Sequence, residues 1–253
     1  MEAELEARIQ KWLGAASIEG TTHYMFKGRD SLVTLGIGMM IDPIDRYPQY
    51  LDPGKWTRLG GGPVTAADIR KEFEFVKGRP AAWTEEDYRK ATKLRLKKVA
   101  LGGEFLSTLH EKERGLLKSF PAFGDYPADA RMALVGLAWA LGAGGTAGKA
   151  PLRSACLAWD FATAARHVHY VVRDRQTGQV QPPSHSQQSR EAQHKTMFEN
   201  AAYALYQHLE KGAKLDRVQP FYPEAKQAPA GWKPPAGWPP PPQKRGCTLT
   251  DVR

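Results

Sequence analysis

From Ala130 to Leu141 the chain is apolar on almost every helical face, with Arg131 the one charge in the run. A helix with no polar side has no place at a water-facing surface, so it predicts the middle of a core with other helices around it. Pro127 precedes it, where a first turn tolerates proline, and Gly142 is a natural stop. The same run does not predict a membrane span. Seventeen uncharged residues lie from Met132 to Gly148, but five are glycines, and spanning needs about twenty predominantly apolar residues.

Other segments supply what would surround such a helix. Leu5, Ile9, Trp12 and Leu13 fall on one helical face within 4–14. His23 to Ile41 is rich in β-branched and aromatic residues, with Lys27-Gly28-Arg29-Asp30-Ser31 as a turn in its middle, which predicts a hairpin or three-stranded sheet. Residues 42–63 read as an irregular loop. Thr65 with Asp68, and Thr84 with Asp87, have the N-cap spacing that starts helices over 65–77 and 84–100. Further helices are expected over 104–120, 153–171 and 187–211. The fold class expected is α+β, mainly α, with a small β lobe over about 19–63 and a larger helical lobe over about 64–217. Nine of the nineteen prolines lie between Pro220 and Pro242, and Pro-Ala-Gly-Trp occurs at 229–232 and 235–238. That composition predicts an extended, solvated tail over 218–253.

Charge bounds the partners. Against 27 acidic residues stand 36 Lys and Arg, a net +9 over 253 residues, which favours an anionic partner: nucleic acid, an anionic membrane or bacterial cell wall. The basic residues form no run and no nucleic-acid motif. The amino terminus, MEAELEARIQ, is acidic and amphipathic, unlike a secretory signal. Two cysteines, Cys156 and Cys247, are too few for a disulfide framework or a four-cysteine zinc site.

The chemistry-bearing stretch is Ser17-Ile18-Glu19-Gly20 followed by Thr34-Leu35-Gly36-Ile37-Gly38. A carboxyl group at a helix end beside apolar side chains can stay protonated and serve as an acid. A facing strand can then offer a second carboxylate and a hydroxyl to hold water on the far side of a sugar. Glycines would let backbone approach the saccharide closely. The plainer reading is a surface carboxylate followed by glycines that shape a turn.

These residues resemble the phage-type lysozymes, whose signature is Glu-Gly, a hairpin and Thr-Ile-Gly-Ile-Gly. The present chain has Glu19-Gly20 and Thr34-Leu35-Gly36-Ile37-Gly38 at that spacing. Ala130 to Gly142 is similar to the family's buried central helix. Trp159-Asp160-Phe161-Ala162-Thr163-Ala164-Ala165 is similar to a later helix, and Arg190 to Phe198 to an arginine-bearing final one. The likeness is patchy over 5–211 and specific only in the first motif. It implies a lysozyme-like fold and a muramidase that cuts the glycan of peptidoglycan without a cofactor. Glu19 would be the acid, Thr34 the water-positioning hydroxyl, and Gly36, Gly38 and His23 would meet the substrate. The family's aspartate has Gly28 in its place, so Asp30, two residues on, is the replacement expected on the same strand face, with Asp42 as the alternative. Met39 stands where the family often has histidine.

Further expectations follow from the resemblance. The protein would be a monomer bound to bacterial peptidoglycan, with neither nucleic acid nor membrane insertion. It would be made in the cytoplasm, reaching the periplasm by holin-type release or by injection as an antibacterial effector, of which the chain would be a piece. A toxin of that kind implies a cognate inhibitor protein. A lytic transglycosylase using Glu19 alone, and an inactive wall-binding module, are the rival readings. His167-x-His169 reads as ordinary histidines, Gly60-Gly61-Gly62 as a turn, and Cys156 as a small buried side chain. Trp56 is the loop aromatic that could stack on sugar.

Overall fold

A computed structural model of the chain describes residues 1–15, 21–28, 31–80, 82–170, 172–173, 180–181, 185–222, 228–229, 231–236 and 238, with side chains omitted at 172–173, 180–181 and 185–186. The fold is α+β and mainly helical, with short antiparallel sheets. It divides into two compact units, one from Leu13 to Thr108 and one made of Met1–Trp12 with Leu109–Arg253.

The Leu13–Thr108 unit is built on β1 (Thr22–Lys27), β2 (Val33–Gly36) and β3 (Met39–Met40), in the order β1-β2-β3 and antiparallel throughout. The expected turn closes β1 onto β2: Gly28 donates its N–H to Leu32 at 2.8 Å, and Ser31 donates to Gly28 at 3.0 Å. The 42–63 stretch contains three short 3-10 turns and then a strand, β4 (Trp56–Arg58). Trp56 is only 3% exposed, and its indole N–H donates to the Tyr50 carbonyl at 2.8 Å. It is a core residue and cannot stack on sugar. Gly60, Gly61 and Gly62 all have φ near +90°, the turn expected of them.

Helix α2 (Ala66–Lys77) begins on the predicted Thr65–Asp68 capping box and α3 (Glu85–Ala91) on Thr84–Asp87. The helix expected over 84–100 stops at Ala91. Lys93-Leu94-Arg95-Leu96-Lys97 alternates charged and apolar residues, a strand period, and β5 (Leu94–Leu96) pairs antiparallel with β4. The buried Glu72 carboxylate secures the switch by accepting N–H bonds from Lys93 at 2.6 Å and Leu94 at 3.0 Å. Helices α2 and α3 and strand β5 all pack on β1. The sheet-bearing unit is therefore wider than the 19–63 segment.

The second unit centres on α5 (Ala128–Ala147), buried from Ala128 to Trp139 as its composition requires. Gly142 breaks the helical backbone at φ 76° and ψ 155°, and a further helical turn follows. Helix α4 (Lys98–Ser119) contains the boundary between the units. The helix expected over 153–171 is two, α6 (Ala150–Leu157) and α7 (Phe161–Arg166), separated where Trp159 takes φ 58°. Cys156 is fully buried, and burial pushes its thiol pKa up. Helix α8 (His185–Lys211) packs on α5 and α7. Strands β6 (Val172–Arg173) and β7 (Val180–Gln181) form a short ladder. On α1 (Ala3–Leu13) the predicted face of Leu5, Ile9, Trp12 and Leu13 is buried.

Parts of the described proline-rich tail are held on the helical unit, although most of its described residues are exposed or half-buried. Asp129 on α5 accepts N–H bonds from Phe221 at 2.8 Å and Tyr222 at 3.1 Å, and Ala228 is buried. Trp232 donates its N–H to the Pro229 carbonyl at 3.0 Å and Trp238 to that of Pro235 at 3.1 Å. The two indoles lie 5.7 and 5.5 Å from the Tyr206 ring of α8. Aromatic contact of this kind adds to area burial, which composition-based reasoning about proline does not anticipate.

Candidate functional site

Glu19 and Asp30 lie outside the described residues, so the site is built from what brackets them. Helix α1 ends at Leu13, six positions before Glu19. The ends of the intervening loop are pinned together, since the Thr21 hydroxyl donates to the Gly14 carbonyl at 3.2 Å. Thr21, the first residue described after that loop, follows Glu19 by two positions.

Beyond Thr21, β1 enters the sheet and brings Phe26 opposite Thr34, which in turn faces Met40 across β2. Directly paired residues share a sheet face. Thr34 therefore stands between a half-buried Phe26 and an exposed Met40, on the side away from buried Val33 and Leu35. Its hydroxyl donates to the Leu32 carbonyl at 3.3 Å, which leaves the oxygen lone pairs to accept a hydrogen bond from water. β1 ends at Lys27, so position 28 is already in the turn. The expected same-face relation of Asp30 to position 28 lies outside the described residues.

Gly36 and Gly38 both have φ 66° and make the turn between β2 and β3. A Cβ on Gly36 would stand 2.2 Å from Met39 Cε and 2.7 Å from Leu101 Cδ1. The close approach at Gly36 is thus to protein side chains. Met39 is buried, and its sulfur accepts a weak bond from the Tyr50 hydroxyl at 3.6 Å. The residue in the family's histidine position is here part of the core. Asp42, the alternative water-holding carboxylate, is also buried: it accepts from Val33 N–H at 3.3 Å and from Lys77 Nζ at 2.8 Å. With one oxygen on the sheet and the other on a cation, it acts as an anchor for β2.

His23 opens onto a cavity of about 510 Å³ lined by Thr21, Tyr24, Leu59, Arg89, Lys90 and Arg95 as well. Its Nδ1 lies 2.9 Å from the Leu96 carbonyl. A carbonyl can only accept, so Nδ1 carries a proton and, in the neutral ring, Nε2 keeps its lone pair. Arg95 is held almost completely by backbone. Nη1 donates to Leu94 at 2.7 Å and to Thr92 O and Oγ1 at 3.2 and 3.1 Å, and Nη2 donates to Arg89 O at 2.6 Å. Its guanidinium also lies 5.1 Å from the Tyr24 ring centre, and burial lowers its pKa. Tyr24 donates to Glu85 at 3.2 Å, and burial foremost, then Glu85, pushes its pKa up to about 12. Arg89 is paired with Glu86 through Nε and Nη2, both at 2.6 Å, and that bond holds Glu86 at a pKa of about 2.

Of the expected site residues, His23 lines this cavity and the described Thr34, Gly36 and Gly38 do not. Arg89, Lys90 and Arg95 escaped the sequence reading; the Lys93–Lys97 alternation is the signal that would have placed Arg95 on a strand, while nothing in the sequence marks Leu59. Among the described residues there is no acidic, histidine or cysteine cluster able to hold a metal ion. His167 and His169 are exposed, and His169 pairs with Glu191 at 2.9 Å. No helix among the described residues is long and apolar enough to cross a membrane. No protein-family model matches the chain, and no curated protein matches it in sequence.

Proposed function

We propose that the protein is a lysozyme-like muramidase that cleaves the β-1,4 bond between N-acetylmuramic acid and N-acetylglucosamine in peptidoglycan. The observation that carries this reading is the spacing of Glu19-Gly20 and Thr34-Leu35-Gly36-Ile37-Gly38 across a β-hairpin. Supporting it is the outward face of Thr34 with free lone pairs, and the cavity whose first lining residue follows Glu19 by two positions.

In this mechanism Glu19 gives its proton to the glycosidic oxygen as the bond to the anomeric carbon breaks. Water then attacks that carbon from the opposite face, losing its proton to a carboxylate. Thr34 accepts a hydrogen bond from that water and Asp30 takes up its proton. Bacterial cell lysis in the periplasm follows, after holin-type release or injection into a target cell. A monomer suffices, with no cofactor; a dedicated inhibitor protein would guard a producing cell.

Gly28 at the place of the family's aspartate favours a second reading, a lytic transglycosylase. There Glu19 acts alone and the sugar's own hydroxyl replaces water. Mass spectrometry of digested peptidoglycan separates the two: reducing muropeptides support the hydrolase, and anhydro products support the transglycosylase. Full activity in a folded Glu19→Gln protein would refute both, whereas affinity without cleavage by the wild type would leave a wall-binding module.

A further inference from the structure

The outer face of the β4–β5 pair gathers charge that the cleavage reaction does not use. Arg95 stands opposite Thr57 in the register. The pairing runs one step further at each end: Lys97 donates its N–H to the Lys55 carbonyl and Leu59 to that of Lys93, both at 2.8 Å. Side chains alternate along a strand, and paired residues share a face. Trp56, Leu94 and Leu96 are buried on the inner side, so Lys55, Thr57, Leu59, Lys93, Arg95 and Lys97 belong to the outer one. Most of that charge is not neutralised. Glu104 pairs with Lys55. Arg95 gives its Nη donors to Thr92 and to backbone carbonyls, and Lys97 Nζ donates to the Gly54 carbonyl at 2.6 Å. Among the described residues no carboxylate forms an ion pair with Lys93, Arg95 or Lys97. Glu72, buried on the Lys93 and Leu94 amides, subtracts one charge, and the face stays positive.

The apolar part of this face is at its edge. Leu59 is 50% exposed, and its N–H bond to Lys93 fixes its backbone. It leads into Gly60, Gly61 and Gly62, all exposed, and a Cβ on any of them would meet nothing within 4 Å. The tip therefore stands clear of the body. A leucine on a projecting turn beside unpaired cations matches an anionic bilayer. The cations meet phosphate head groups, and the leucine reaches the boundary of the acyl chains. Single-stranded nucleic acid would instead call for exposed rings to stack on bases, and none of the six outward side chains is aromatic.

We propose that this face is a docking surface for anionic phospholipid bilayers, with Leu59 as its apolar contact. It uses neither the acid nor the water-positioning groups of the muramidase reading, so the two stand or fall separately. Cosedimentation of the full-length chain with vesicles tests it. Binding is expected to vesicles of phosphatidylcholine mixed with phosphatidylglycerol and not to phosphatidylcholine alone, and it should weaken with salt. A Lys or Arg near such a surface contributes about fivefold in binding, so Lys93→Gln/Lys97→Gln should lose on the order of 25-fold. Lys118→Gln/Lys195→Gln removes the same charge from exposed positions on α4 and α8 and should lose little. Leu59→Ser should weaken binding severalfold without changing its salt dependence. All the substituted side chains are exposed, so the fold is kept.

Equal losses in the two lysine pairs would make the effect one of overall charge and overturn the proposal. Binding to both vesicle types alike, binding to neither, or full binding by Leu59→Ser overturns it as well. Tighter binding to duplex DNA than to mixed vesicles, at equal phosphate and salt concentration, also overturns it, in favour of nucleic acid. Failure of the muramidase reading is seen separately, as no soluble product from sacculi treated with wild type.

Discussion

The Thr21 hydroxyl donates to the Gly14 carbonyl at 3.2 Å, and by doing so ties together the two ends of the loop that contains Glu19. On the muramidase proposal, that bond fixes where the chain enters and leaves the segment carrying the acid. Thr21→Val removes the bond and keeps the shape. An exposed hydrogen bond contributes only about 0.5–1.5 kcal/mol to stability, so Tm should fall by a few degrees at most. Cleavage of peptidoglycan should fall severalfold through kcat. Unchanged turnover in a folded Thr21→Val protein would show that the pin does not position the acid.

Gly36 has φ 66°. Alanine there meets the left-handed backbone penalty of about 1–2 kcal/mol. It also overlaps Met39 Cε and Leu101 Cδ1, and overpacking typically costs about 1–3 kcal/mol more. Chemical denaturation should show Gly36→Ala losing more than the backbone penalty, and Met39→Ala should recover part of that loss. A Gly36→Ala loss of about 1–2 kcal/mol, unchanged by Met39→Ala, would remove the packing explanation.

What was legible in the sequence was local. The Thr65 and Thr84 caps, the α1 face and the all-apolar α5 follow from periods and caps that need only a few neighbouring residues. The strand at Leu94–Leu96 was concealed by the capped helix before it, and its partner Trp56–Arg58 lies 38 positions away. Pairing at that range is set by tertiary contacts such as Glu72 on the Lys93 and Leu94 amides. Around the candidate site, only the strand placement of His23 and Thr34 was readable, from the β-rich run that contains them. The basic cavity was not, because it joins residues from β1, α3, β5 and the loop at Leu59.

The tail offers a sharp contrast between composition and packing. If 218–253 were solvated, a chain ending at Arg217 would be as stable as the whole. Asp129 would instead lose the Phe221 and Tyr222 amides, and Tyr206 would lose both tryptophans. A buried acceptor left without its donors costs about 1–3 kcal/mol. The truncated chain should unfold at clearly lower denaturant concentration, with a changed near-ultraviolet signal from Trp232 and Trp238. Identical unfolding curves would return the tail to solvent.

Two buried groups of the helical unit should give the protein opposing pH responses. Asp129 is 3% exposed, and burial, outweighing its N–H bonds, raises its pKa from 3.8 to about 6. The native state therefore holds this proton more tightly than the unfolded one. The associated stability is present below pH 3.8 and is lost as pH rises through 6. His194 is 1% exposed, its Nδ1 lying 3.2 Å from the Tyr170 hydroxyl. Burial first and Arg190 second lower its pKa from 6.5 to about 3. Its stability is present above pH 6.5 and is lost as pH falls towards 3. Each slope is about 1.4 kcal/mol per pH unit, and between about pH 4 and 6 they cancel. Replacing one group should unmask the other. Relative to wild type, Asp129→Asn should gain stability with rising pH across that window, and His194→Gln should lose it. Urea unfolding at pH 4, 5 and 6 measures both slopes, and two variants with the same sign of slope would contradict the pairing.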